Sequence, residues 1–160
     1  MGPVVPASRS VGPESAFRNL RIIHLAMSVA LLVYGFLVFL MLSLEIIPRE
    51  GFIGSLPLLR PLLWLAALGN FMAIDRIRSR FLTPEALRER ARPVPQSILT
   101  WHSIMYALAD GIAVYGVLLF FVAGLVQDFV ALAGFAFAIL YWLRPTVERY
   151  RTLMRDAGAP

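Results

Sequence analysis

Cysteine is absent from the 160 residues, which excludes disulfides, thiolate metal sites, iron–sulfur clusters and covalent c-type haem attachment together. Lysine is absent too, so all 15 basic residues are arginine and the net charge of +5 rests on guanidinium groups alone. Histidine occurs twice, at 24 and 102. No hydrolase triad, phosphate-binding loop or metal-ligand spacing can be assembled from the remaining polar residues, so the sequence gives no ground for an enzyme. Residues 1–17, rich in Gly, Pro and Ser, lack the apolar core of a cleavable signal peptide and read as a mobile tail.

What is abundant is apolar surface. Hydrophobic residues make up 59% of the chain, and mean hydropathy is +0.72. A soluble domain usually carries roughly 45–50%, and a chain this small cannot bury the excess, so lipid must be the solvent. Four apolar segments stand out, at about 19–44, 52–74, 98–126 and 129–143. The first is more than long enough for a ~30 Å hydrocarbon core at about 1.5 Å per residue. Pro57, Arg60 and Pro61 mark the entry of the second. Between the second and third lies a polar loop, 75–97, in which Thr83, Pro84 and Glu85 have the order of a helix start. Only Gln127 and Asp128 separate the third from the fourth, which predicts a tight antiparallel hairpin. Beyond Leu143-Arg144-Pro145, Thr146 can cap a final amphipathic helix within 147–160.

The fold class expected is therefore an all-α membrane protein, a four-transmembrane-helix bundle running up-down-up-down through residues 18–146. Arginine fixes its orientation. The N-terminal tail, the middle loop and the C-terminus hold all of the arginines except Arg49 and Arg60. The positive-inside rule then puts both termini and the loop in the cytoplasm of a bacterial inner membrane. The same distribution argues for topology rather than for nucleic-acid binding. The expected partners are the bilayer, other membrane subunits or further copies of the chain.

The first and third segments share a pattern, His24-x-x-Met with Tyr34-Gly and His102-x-x-Met with Tyr115-Gly, although the spacing between the two parts differs. Two tandem helical hairpins are one account of it, and compositional likeness of apolar segments is the other.

Asp110 lies near the middle of the third segment, where a charge is costly. On one reading it is a protonatable carboxylate that carries a proton or holds a cation. On the other it ties helices together through a hydrogen bond to Tyr106 or Tyr34. Ala109, Ala113 and Gly116 share one helical face beside it, and small residues there allow a second helix to come close. His24 and His102 fall at similar depth just inside the cytoplasmic side, with Asn70 expected in the same layer. Two such imidazoles on facing helices can ligate a b-type haem, and otherwise they serve as interfacial polar groups; no cofactor is the primary expectation. Arg60 is expected to reach outward or to pair with Glu45, Glu50 or Asp128. Trp64, Trp101, Tyr141 and Trp142 read as interface anchors.

The stretch ALADGIAVYGVLLFFVAGL resembles the carboxylate-bearing helix of rotary-ATPase c subunits, in which an acidic residue precedes a Tyr-Gly run. That resemblance implies an ion-binding role for Asp110, although the first segment lacks the dense glycine repeats of ring helices. Over most of its length the chain also resembles a group of uncharacterised four-span bacterial membrane proteins. Ile22-Ile23-His24, Asp110 and Leu143-Arg144-Pro145-Thr146 with Glu148-Arg149 carry that likeness. It implies fold and location and no activity.

Overall fold

The structure is a computed structural model that describes residues 12–46, 57–89 and 93–158. Its elements are six α-helices: α1 (Pro13–Ser43), α2 (Leu59–Phe81), α3 (Pro84–Arg88), α4 (Val94–Ala123), α5 (Val126–Trp142) and α6 (Val147–Asp156). Two of them, α1 and α4, are long and apolar enough to cross a membrane. A third candidate is α5 taken with α6 across a 56° bend. The 23 residues of α2 include Arg60, Asp75 and Arg76, which interrupt its apolar run. The start of the expected second segment, 52–56, lies outside the described residues. Alone, the 17 residues of α5 reach about 25 Å, short of a full hydrocarbon core.

Helix ends depart from the apolar runs for identifiable reasons. Helix α1 begins six residues before the expected boundary, because Pro13 at the first position is set for helix and Ala16 N–H bonds to the Gly12 carbonyl at 3.0 Å. Pro13–Phe17 is thus helical, not tail. Helix α2 continues past Ile74 to Phe81: Asp75, Arg76, Ser79 and Arg80 face outward while Ile74 and Ile77 remain packed. Charge ends the apolar run there without ending the helix. The α4–α5 turn falls at Gly124 and Leu125 rather than at Gln127 and Asp128. Gly124 adopts φ 69°, the left-handed conformation that glycine takes without steric cost. Its N–H bonds to Phe120 O and that of Leu125 to Leu119 O, closing the helix end. Thr83 and Thr146 cap α3 and α6 through their side-chain oxygens, as the sequence predicts.

Helix α4 is the hub, and α1, α2 and α5 each lean on it. Paired contacts give the directions. On α1, His24 meets Tyr106 and Tyr34 meets Asp110, so α1 and α4 run the same way. Phe81 stacks on Trp101, and Asn70 reaches Leu108, so α2 runs opposite. So does α5, with Phe129 beside Phe120 and Leu143 beside Tyr106. Because α1 packs on α4 rather than closely on α2, the first two helices do not form a packed hairpin like that of α4 and α5, and the tandem-hairpin picture does not hold at the level of packing. A second cluster, of Leu87, Ile98, Tyr150, Met154 and Ala157 with Phe17 against it, joins α3 and α6 to the foot of α1 and α4. Tyr150 donates to the Pro13 carbonyl at 3.0 Å.

The two sides of α1 differ sharply. Leu20, Leu31 and Val38 are buried against the bundle, with Met27 and Tyr34 between them. On the opposite side Leu25, Leu32, Phe36 and Phe39 are each more than 60% exposed. Exposing such side chains to water forgoes roughly 1.5–3 kcal/mol apiece, so this face belongs in lipid or against another apolar helix.

Candidate functional site

Polar side chains inside the bundle gather at three levels along α4. The level nearest the termini contains His24, His102 and Tyr106. Both imidazoles pack on the Tyr106 ring, at 5.4 and 6.1 Å between centroids. His102 Nδ1 lies 3.0 Å from Ile98 O, while His24 Nδ1 is buried with no partner among the described residues. The Tyr106 hydroxyl donates to Leu143 O at 3.1 Å, capping a carbonyl at the end of α5 that has no intrahelical donor. Tyr106 therefore does not pair with Asp110 as expected. The nearest acceptor for its buried hydroxyl is the end of α5, on another side of α4.

A haem shared by His24 and His102 would have to displace the Tyr106 ring, which packs directly against both imidazoles; the cavity beside His102 is about 10 Å3, and the larger cleft of about 560 Å3 at His24 is not lined by His102. Among the described residues no group of three His, Cys, Asp or Glu side chains could hold a metal ion.

The middle level contains Asp110. Tyr34 donates to its Oδ2 across a long 3.4 Å, and its Oδ1 is buried with no hydrogen-bond partner among the described residues. One residue on, Gly111 leaves room for α2, since a Cβ there would lie 3.1 Å from Asn70 Nδ2. Asn70 uses the gap to donate to Leu108 O at 3.1 Å, with Tyr115 Oη at 3.5 Å. Asn70 thus sits at the level of Asp110 rather than in the histidine layer. The two neighbours in sequence, Asp110 and Gly111, receive polar side chains from α1 and α2 respectively.

The expected small-residue face is present and fully used within the chain. Ala109 and Ala113 have no exposed surface. A Cβ on Gly116 would lie 3.1 Å from Phe129 Cα and 3.2 Å from Phe129 O, so the α5 backbone itself lies against this glycine. No partner helix can reach that face.

The far level is one that the sequence shows only in part. Asp128, 4% exposed, accepts from Trp64 Nε1 at 2.8 Å, and Arg60 Nε lies 3.2 Å from both of its oxygens. Of the expected acidic partners of Arg60, Asp128 is the one it meets among the described residues; Glu50 lies outside them. Its carboxylate also falls in the first turn of α5, where the helix macrodipole favours negative charge. Trp64 is a donor in this cluster rather than a simple interface anchor, and nothing in its sequence context signals that. Trp101 stacks on Phe81, and Arg78 lies 3.9 Å over the Trp142 ring.

No family model, curated protein or solved structure matches this chain. The site must be read from its own geometry.

Proposed function

We propose that the chain is a non-catalytic subunit or assembly element of a larger membrane complex, built as a four-span up-down-up-down bundle with both termini in the cytoplasm. The observation that carries this reading is the outward face of α1. Ile22, Leu25, Val29, Leu32, Phe36 and Phe39 are all exposed and follow one another at alternating steps of three and four, the spacing of a helix–helix seam. In lipid, packing rather than the hydrophobic effect drives helices together, and side chains repeating at this spacing can interdigitate with those of a facing helix. The small-residue face of α4 was the other candidate surface, and α5 already covers it. The interior polar groups support the same reading. Asp128, Asn70 and Tyr106 each bind one helix to another, and no continuous polar path links the three levels among the described residues.

The test is the state of the full chain extracted from its native membrane in mild detergent. A stable heteromeric partner or a defined oligomer is expected, with Asp110→Asn leaving that assembly intact. A monodisperse monomer without partner refutes the reading.

A second reading, proton or cation handling at Asp110 in the manner of a c subunit, draws on Asp110 Oδ1, a buried carboxylate oxygen without a hydrogen-bond partner among the described residues. A carbodiimide that attacks buried protonated carboxyls then labels Asp110 selectively and is blocked at high pH or by the coupled cation. Absence of labelling at low pH removes this second reading.

A further inference from the structure

At the foot of α1, a cleft of about 560 Å3 opens between that helix and the joint of α5 with α6. Its lining combines three arginines, Arg18, Arg21 and Arg144, with His24 and an apolar wall of Phe17, Ile22, Leu25 and Pro145. Among the described residues no acidic side chain lines it, and neither Arg18 nor Arg21 forms an ion pair. Arg144 rests its guanidinium on the Tyr141 ring, 4.8 Å from the centroid, and donates one N–H to the Tyr141 hydroxyl. That leaves its other donors free to turn toward the cleft. A pocket with several guanidinium groups and no carboxylate is complementary to a phosphate, which guanidinium planes bind through paired N–H donors.

The apolar wall says what kind of phosphate. Ile22 and Leu25 are 58% and 65% exposed and continue directly into the lipid-facing side of α1, so a ligand with a charged end and a long apolar end matches the whole surface. From these residues we infer that the cleft binds the phosphodiester headgroup of an anionic phospholipid. Arg18, Arg21 and Arg144 hold the phosphate, and the start of an acyl chain lies over Ile22 and Leu25. The cleft lies below Val29, so a headgroup here is compatible with a partner helix on the upper part of the seam. The inference rests on the membrane placement of α1, not on the assembly proposed above.

The experiment is native mass spectrometry of the full chain released from detergent micelles doped with phosphatidylglycerol, phosphatidylcholine or inorganic phosphate. Retention of one or two phosphatidylglycerol molecules is expected, at least ten-fold above phosphatidylcholine. The variant Arg18→Gln/Arg21→Gln/Arg144→Gln should lose that retention at least ten-fold. Arg76→Gln/Arg80→Gln, which removes charge near the foot of α2, should keep it. All five side chains are exposed, so folding is not at stake, and helicity by circular dichroism checks it. Equal losses in the two variants would mean undirected charge attraction and overturn the site. Equal retention of phosphatidylcholine, or saturation by inorganic phosphate that displaces the lipid, overturns it as well. Failure of the membrane placement is distinguishable, because the chain would then leave the membrane fraction under alkaline carbonate.

Discussion

Removal of the Asp128 carboxylate tests how the far end of the bundle is held. Asp128→Ala takes away the acceptor of Trp64 Nε1 and the counter-ion of Arg60. A hydrogen bond to a charged group is worth about 1.5–3 kcal/mol. The Arg60 side chain is 60% exposed, so its pairing is screened and adds at most about 1 kcal/mol. Loss of negative charge from the first turn of α5 adds about 0.3–1 kcal/mol. Together these give an expected destabilisation of about 2–5 kcal/mol for Asp128→Ala, about 1–2 kcal/mol for Trp64→Phe, and under about 1 kcal/mol for Arg60→Gln. The assay is reversible unfolding by sodium dodecyl sulfate in mixed micelles, followed by far-ultraviolet circular dichroism so that loss of a tryptophan does not alter the signal. A double-mutant cycle between Trp64→Phe and Asp128→Ala, which removes the acceptor outright, should give a coupling of about 1–2 kcal/mol. A coupling below about 0.3 kcal/mol, or an Arg60→Gln cost equal to that of Asp128→Ala, refutes the assignment of Trp64 as the principal partner.

Gly116→Ala places a methyl group against the Phe129 backbone and should cost about 1–3 kcal/mol in the same unfolding assay. Gly134→Ala meets nothing within 4 Å and should gain about 0.5–1 kcal/mol from helix propensity. Tyr106→Phe leaves the Leu143 carbonyl without its buried donor and should cost about 1–2 kcal/mol, read by the same titration. Burial raises the pKa of the Tyr150 hydroxyl above its usual value of about 10. Its contribution to holding α6 on α1 is then complete below pH 10 and falls as pH rises beyond it, because the unfolded state releases the proton first. Once base-catalysed intrinsic exchange is divided out, the protection of the α6 amides should fall above pH 10 in the native chain, and Tyr150→Phe should remove that fall.

The periodicity and caps of the sequence carry the helical class and the caps at Thr83 and Thr146, whereas for Arg60 the sequence leaves an outward reach and three acidic partners, Glu45, Glu50 and Asp128, open. Helix ends were harder to read where apolarity and helicity part company. Asp75–Arg80 is charged yet stays helical because Ile74 and Ile77 keep one face packed. The turn at Gly124 hides inside an unbroken apolar stretch, since its signal is a backbone conformation rather than polarity. At the candidate site, Tyr34 and Asp110 could be paired from their depth, whereas Tyr106 could not be assigned. Its partner is a backbone carbonyl, and every residue offers one. The small-residue face of α4 was legible as a packing face, but spacing does not reveal that the helix covering it comes from the same chain.

The absence of cysteine allows a direct test of the α1 seam, because any thiol introduced reports alone. At about 100° per residue, Leu25, Val29, Leu32, Phe36 and Phe39 fall within about 40° of one line along the helix, while Val33 and Leu37 lie about 80–120° away. All seven are exposed, so exposure to lipid alone predicts that single cysteines at these positions behave alike. A helix packed on the seam predicts otherwise. Oxidation in native membranes should give disulfide-linked dimers at 29, 32 and 36 if the partner is a second copy. If the partner is another protein, those three positions should be shielded from a lipid-soluble maleimide. In both cases 33 and 37 should remain reactive and uncrosslinked. Uniform labelling across all seven positions, with no dimer, means that α1 faces only lipid, and the seam spacing is then a by-product of a helix that is apolar on nearly every side.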